Sequence, residues 1–262
     1  MTFIEAIILG IIQGLTEFLP VSSSGHIELG KALLGIELEE NLGFTVLVHF
    51  ATVLSTITVF FKDIRRIAVE VFRFQWNEST HFVVKILVSM VPVLIVGLLF
   101  EETIEQFFSG NLVLVGGALL VTAALLSLTY FFRNEGKRNI PYLDALIMGL
   151  AQAFAVIPGL SRSGSTIAVG MLLKNDKEAV TRFSFLMVLL PIIGAAFMKM
   201  IQADGLEGGS ILTLPMMAGF VSAYISGFLA CRWMIAIVKR GKLIWFAVYC
   251  AIIGIVSILF AG

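Results

Sequence analysis

Six stretches of this chain are each long and apolar enough to cross a hydrocarbon layer roughly 30 Å thick as helices, and that constrains the fold more than any other feature. They run Gly43–Phe61, Phe82–Phe100, Leu112–Phe132, Val180–Met198, Leu212–Cys231 and Leu243–Phe260. The apolar runs are continuous rather than alternating, so helices fit and the strands of a membrane barrel do not. Of the 262 residues, 58% are hydrophobic and only 14% are charged, against about 25% charged in soluble domains. The 18 Lys and Arg balance the 18 Asp and Glu, which removes the basic excess that a nucleic-acid partner requires. Cys231 and Cys250 lie in apolar runs and read as packing residues, not as a disulfide framework. The apolar N-terminal stretch has no positive leader and is interrupted by Glu5, Gln13 and Glu17, so no cleaved signal peptide is expected.

The segments between the apolar runs alternate in charge. Basic residues gather at Lys62, Arg65, Arg66 and Arg73, at Arg133, Lys137 and Arg138, at Lys174, Lys177 and Arg182, and at Arg232, Lys239, Arg240 and Lys242. Acidic residues gather at Glu37, Glu39 and Glu40, at Glu101, Glu102 and Glu105, and at Asp204 and Glu207. The bias of Lys and Arg toward the cytoplasm puts the basic segments inside and the acidic ones outside. The assignment closes only if residues 1–35 and 142–173 each enter and leave on one face. Both stretches are apolar but broken by Pro, Gly and a run of serines, as a re-entrant helix–loop–helix would be. The expected fold is therefore an all-α integral membrane protein with six transmembrane helices and two re-entrant hairpins, at about 3–35 and 142–173.

The two broken stretches resemble each other. A shift of 139 residues aligns Gly10 with Gly149, Gln13 with Gln152, Ser22 with Ser161, Ser24 with Ser163 and Gly25 with Gly164, without a gap. The same shift pairs Phe44 with Phe183 and Leu47 with Leu186. An odd number of spans separates the copies, so the second is inverted relative to the first. The expected organisation is one membrane domain, 1–262, made of an inverted repeat at 1–132 and 140–262. Such folds place their sites near the bilayer midplane.

The hairpins read GLTEFLPVSSSGH at 14–26 and PGLSRSGSTI at 158–167. They put Glu17, Ser22, Ser23, Ser24, His26, Ser161, Arg162, Ser163, Ser165 and Thr166 at membrane depth, where an ionisable residue is costly unless paired or hydrated. A purely structural Glu17–Arg162 pair is weakly motivated, because buried ion pairs stabilise poorly compared with apolar packing. Serines alone would be read as helix caps; duplicated clusters beside buried charges ask for more. Arg162 offers a planar fork of donors for phosphate oxygens. Each serine cluster, with Gly25 or Gly164, precedes a helical stretch, and hydroxyls with free N–H groups at a helix start bind anions. Two such starts facing each other would cradle a diphosphate. Glu17 suits a divalent metal or general-base work, and His26 suits a base, an acid or a nucleophile. Together these point to phosphoryl transfer.

Other matches are weaker. GHIELGKA at 25–32 approximates a P-loop, but Ala32 replaces the hydroxyl residue and no buried strand precedes it. Neither hairpin contains the G-x-S-x-G of a hydrolase elbow. His49 stands alone in an expected span and reads as a packing or hydrogen-bonding residue. Gly10 and Gly14 form a GxxxG that reads as close helix packing.

Both hairpin motifs, and the whole chain in length and span count, resemble the bacterial undecaprenyl-diphosphate phosphatase, or bacitracin-resistance, family. The resemblance implies hydrolysis of undecaprenyl diphosphate to the monophosphate, so that the lipid carrier is recycled for cell-wall synthesis. It implies a divalent metal, commonly Mg2+, a bacterial plasma-membrane location, a site open to the outer face, and a homodimer. The family's functional positions fall on Glu17, Ser23, His26, Ser161, Arg162 and Thr166. Some members carry a second acid one helical turn before the Glu, where this chain has Gln13. Gln13 can ligate a metal through its carbonyl oxygen but cannot serve as a base. Glu17 therefore takes the main acid–base or metal role, while Ser23, His26 and a metal-bound water all stay open as the nucleophile. The chief competing function is a secondary transporter or flippase of a polyprenyl phosphate lipid, which uses the same kind of inverted repeat but needs neither nucleophile nor base. An intramembrane serine protease gives Arg162 no task.

Overall fold

The computed structural model describes residues 1–34, 42–100, 111–132, 139–194 and 213–261. The acidic segments at 36–42, 101–110 and 201–211 and the basic residues Arg133, Lys137 and Arg138 lie wholly or almost wholly outside them, as does Lys199. Among the described residues every regular element is a helix: α1 (Phe3–Phe18), α2 (Ser23–Leu34), α3 (Leu42–Val59), α4 (Phe61–Val71), α5 (Glu78–Leu99), α6 (Leu112–Phe131), α7 (Tyr142–Phe154), α8 (Arg162–Leu172), α9 (Lys177–Met187), α10 (Leu214–Lys239) and α11 (Ile244–Phe260). A chain this apolar must satisfy its backbone internally, and helices do so within each segment. Starts are fixed by side chains: Thr2 and Glu5 make a reciprocal cap on α1, and Asn77, Asn111, Asp176 and Thr213 cap α5, α6, α9 and α10.

Helices α5, α6 and α10 are each long and apolar enough to cross a membrane alone, and large apolar side chains such as Leu98, Leu229 and Leu259 face outward from the bundle. A water-soluble protein does not expose such a surface. The fold is that of a multi-pass membrane protein.

Three expected spans come out differently. Helix α3 stops at Val59, and the chain turns by 76° into α4. The basic stretch after the span is thus a helix carrying Lys62, Arg65 and Arg66 rather than a loop. The stretch expected to cross at Val180–Met198 is interrupted: α9 ends at Met187, and a second helical stretch begins at 189. Pro191 has no N–H to give Met187 O, so the ladder fails there, and it resumes with Ile192 N–H to Val188 O at 3.3 Å. Helix α10 runs to Lys239, well beyond Cys231, and its extension buries Met234 and Val238 in the main core, with Arg232 over the Phe228 ring at 5.6 Å.

Glycines set the close crossings. A Cβ on Gly10 or Gly14 would strike Ser222, Gly219, Ser226 and Ala223 of α10, so the GxxxG face of α1 lies directly on that helix. Gly149, related to Gly10 by the 139-residue shift, faces the Ser89 backbone of α5 in the same way. Gly116 of α6 and Gly254 of α11 face each other, each too close to the other's carbonyl for a side chain. The main apolar core, with Phe18, Phe183, Met148, Met187 and Met234, fills the space between α1, α7, α9 and α10. Cys231 and Cys250 are buried free thiols.

The helices of the two broken stretches are short. Sixteen residues of α1 and 13 of α7 extend about 24 and 20 Å at 1.5 Å per residue, less than a hydrocarbon core. Each is followed by a turn and a second short helix, α2 or α8, that packs back against it.

Candidate active site

The two turns meet. Leu19–Ser22 follows α1, and Ala155–Ser161 follows α7. Ser22 sits at φ +70°, a left-handed conformation uncommon for serine, and this aims its hydroxyl at the other turn. Its Oγ accepts the Gly159 N–H at 3.1 Å and the Gly25 N–H at 3.3 Å, and lies 3.3 Å from Ser24 Oγ. Gly159 has φ +94°, and a Cβ on Gly25 would lie 3.0 Å from Gly159 Cα, so both glycines are required by the approach. In the second hairpin Ser161 caps α8, accepting the Gly164 N–H at 3.0 Å, and Ser163 Oγ donates to Leu19 O across the junction at 3.3 Å. Thr122 of α6 clasps the same turn. It accepts the Ser161 N–H at 3.0 Å and reaches Gly159 O at 3.3 Å. Ser22 thus contacts Gly159, and each of Ser22 and Ser161 caps its own helix.

Beside this junction, at the last turn of α1 and the first turns of α2 and α8, four side chains converge on the Glu17 carboxylate. Arg162 Nη2 donates to Oε1 at 2.9 Å. Ser23 Oγ donates to Oε2 at 2.6 Å, and Gln13 Nε2 donates to the same oxygen at 3.0 Å. His49 of α3 places Nε2 3.9 Å from Oε2, with its Nδ1–H given to Thr45 O at 2.8 Å. His49 thus makes a hydrogen bond, as a packing or hydrogen-bonding residue was expected to, but it is not isolated: it is also a neighbour of the acid. Glu17 is nearly buried, with 7% of its side chain exposed, while Arg162 keeps 28%. That difference leaves the guanidinium, not the carboxylate, open to an incoming anion.

A cavity opens on this pair, lined by Glu17, Arg162, Ser163 and Thr166, by Gln152 of α7 and Thr52 and Thr56 of α3, and by Ser184 of α9. Thr166 donates to Arg162 O at 2.8 Å, and its Oγ1 lies 2.6 Å from Ser184 Oγ. Phe18, Phe185, Val188 and Ile192 complete an apolar wall suited to a lipid tail.

His26 is turned elsewhere. Its Nδ1–H donates to Ser22 O at 2.8 Å, its Nε2 faces the Tyr249 hydroxyl at 2.8 Å, and the two rings stack at 5.6 Å. The described contacts join it to α11 and not to Glu17 or Arg162. Sequence reasoning passed over Tyr249 and Ser184, used Gln152 only as a repeat position, and did not place His49 in the site. A usable signal existed for His49. With Thr45, Thr52 and Thr56 it forms a polar stripe at helical spacing along one face of an apolar helix.

No group of three or more His, Cys, Asp or Glu side chains among the described residues is arranged to cage a metal. Gln13 Oε1, however, is buried without a partner, and it belongs to the side chain whose Nε2 touches Glu17. A carboxylate and an unmet amide oxygen fit a hard cation that takes its remaining ligands from water and phosphate, as Mg2+ does.

The fold and this cluster define an all-helical, multi-pass membrane protein with a buried carboxylate, guanidinium and hydroxyls gathered where two interrupted helices meet. Residues 6–256 match the family described as bacitracin resistance protein BacA, and the chain belongs to that family. It is 55% identical over 262 residues to the undecaprenyl-diphosphatase of Bacteroides fragilis, covering 99% of this chain and 98% of that one. It is 55% identical over 261 residues to that of Parabacteroides distasonis, with 98% of each covered. To that of Halothermothrix orenii it is 41% identical over 266 residues, with 100% and 99% covered.

Proposed function

We propose that this chain hydrolyses undecaprenyl diphosphate to undecaprenyl phosphate and inorganic phosphate, returning the carrier lipid to cell-wall synthesis. The observation that carries the reading is the Ser23–Glu17–Arg162 chain, 2.6 and 2.9 Å long. It puts a hydroxyl, its base and a phosphate-binding cation side by side against an apolar cavity. Family membership and the names of the relatives agree with it.

The geometry favours Ser23 as nucleophile. Its Oγ attacks the terminal phosphorus as the proton passes to Glu17 Oε2. The bond from that phosphorus to the bridging oxygen breaks, and undecaprenyl phosphate leaves with the oxygen and its charge. Water then attacks the phosphoserine, Ser23 Oγ leaves and recovers the proton held by Glu17, and phosphate departs while the proton lost by water is released. Arg162 swings from Glu17 to the phosphoryl oxygens, whose charge it stabilises bidentately. Ser22, Ser24, Gly25, Ser161, Ser163, Gly164 and Thr166 supply the hydroxyl and N–H lining of the anion cradle. His26 lies one turn along α2 from Ser23, but its ring nitrogens are engaged by Ser22 O and Tyr249, so its part is to hold the Ser22 turn while the proton steps run through Glu17. Glu17 and Gln13 would hold the divalent ion, Mg2+ by its preference for oxygen ligands; bound there, it neutralises charge on the diphosphate.

We further propose the full arrangement of six spans and two re-entrant hairpins in a repeat, 1–132 and 140–262, in the bacterial plasma membrane. The basic segments face the cytoplasm and the site opens outward. The like settings of Gly10 and Gly149 support the repeat. A homodimer is proposed on the resemblance alone. The test is phosphate release from a long polyprenyl diphosphate by the purified chain in detergent. Release that depends on a divalent ion is expected. A protein that releases none, yet moves the lipid across proteoliposomes, would be a transporter.

A further inference from the structure

Of the polar groups that line the cavity and that the mechanism above does not use, Gln152 is the one with a buried donor left unpartnered. Gln152, on α7, is 2% exposed, and its Nε2 is buried without a partner while lining the cavity with Glu17, Arg162, Thr166 and Ser184. Buried N–H donors are almost always matched, and an unmatched one at the wall of a cavity asks for an acceptor from inside it.

The repeat explains why the partner is missing. Gln13 stands at the corresponding position of the first copy and spends its Nε2 on Glu17, four residues on, at 3.0 Å. Four residues after Gln152 the second copy has Val156, which offers no acceptor. The second copy therefore keeps the amide donor and has lost the carboxylate it would serve. Around it the cavity is bounded by Phe18, Val53, Phe185, Val188 and Ile192, and the cation that draws an anion inward is Arg162.

We propose that Gln152 is a substrate-binding residue whose Nε2 donates to a phosphate oxygen of the bound lipid diphosphate, filling the place that the Glu17 carboxylate fills beside Gln13. The inference rests on the diphosphatase reading and adds a contact within the same site. Arg162 supplies charge. Gln152 supplies a directional donor from α7, so that the terminal phosphoryl group is held between two helices of the second copy and turned toward Ser23.

The test compares wild type, Gln152→Leu, Gln152→Met and Gln152→Glu as full chains in detergent. Phosphate release from a polyprenyl diphosphate is measured over a range of substrate concentrations, together with thermal unfolding with and without that substrate. Losing a donor to a charged acceptor should raise KM about tenfold to a hundredfold for the Leu and Met variants, with a smaller effect on kcat. The ligand-free unfolding midpoint should stay level or rise, since an unmatched buried donor has been removed. Gln152→Glu should bind still less well, because it turns a second anion toward the phosphate. Wild-type KM in both the Leu and Met variants would overturn the proposal. So would wild-type activity in Gln152→Glu, which would make the side-chain oxygen the working atom. Should the Leu variant fail to fold, the unbranched Met variant decides. A wild-type protein that releases no phosphate would sink the diphosphatase reading itself, an outcome distinct from any of these.

Discussion

Ser22 is the point at which the two hairpins are stitched together, and replacing it separates two contributions to that joint. In Ser22→Ala the Gly159 N–H, now bonded at 3.1 Å, and the Gly25 N–H, at 3.3 Å, lose their acceptor in a buried place. A buried donor left unmatched costs about 1–3 kcal/mol, and loss of a helix-capping hydroxyl costs about 1 kcal/mol. The docked junction should weaken by about 2–4 kcal/mol, a thirtyfold to nearly thousandfold shift at 1.36 kcal/mol per factor of ten. Ser22→Gly loses the same two bonds but relieves the φ of +70°, which recovers about 1–2 kcal/mol. Thermal unfolding in detergent and the rate of phosphate release should therefore both rank wild type above Gly and Gly above Ala. An alanine variant as stable and active as wild type would refute the stitch. A glycine variant less stable than the alanine one would refute the claim that the serine backbone is held against its preference.

Arg162→Lys should lower kcat/KM by about tenfold to a hundredfold and Arg162→Ala by more, because a point charge replaces a planar fork; equal turnover by the Lys variant at matched expression would contradict the assigned role. Glu17→Gln should abolish turnover while the chain still folds, since the amide retains shape but not basicity, and near wild-type phosphate release would remove Glu17 as the base. Excess chelator should silence the wild type reversibly, and Gln13→Leu should shift the Mg2+ concentration for half-maximal rate upward; activity indifferent to chelator would rule out the metal. For topology, Glu102→Cys should react with an impermeant thiol reagent outside intact cells and Gln75→Cys should not. The native thiols are buried and give little background; labelling at 75 from outside would invert the proposed orientation.

The sequence carried the membrane class, the two helix breaks and the acid–arginine pair because each has a local signature: continuous apolar runs, Pro–Gly–Ser punctuation, and charge where lipid excludes it. What it hid was long-range. His49 looked solitary because its neighbour Glu17 lies on another helix, and Tyr249 meets His26 across 223 residues. The fourth expected span was read through Pro191 on hydropathy alone, although the missing proline N–H was visible in the letters. The direction of His26, one residue type in a strong motif, depends on α11 and could not be inferred from the motif.

The span of 145 residues between the Glu17 carboxylate and the Arg162 guanidinium has a consequence for biosynthesis. At about 5–20 residues per second, a ribosome delivers the acid some 7–30 s before its cation exists. A buried charge stripped of its partner is strongly destabilising, yet Glu17 does not wait bare. Gln13 and Ser23 belong to the same hairpin and already donate to Oε2. Among the described contacts the Arg162 guanidinium has its acceptor in Glu17, and the serine of its own hairpin caps the Gly164 N–H instead. The N-terminal half is thus built to enter the bilayer first and hold its charge, and the C-terminal half to arrive second and complete it. If the gene were split between the halves, residues 1–132 should insert and persist alone, while residues 140–262 should be degraded unless the first half is made alongside.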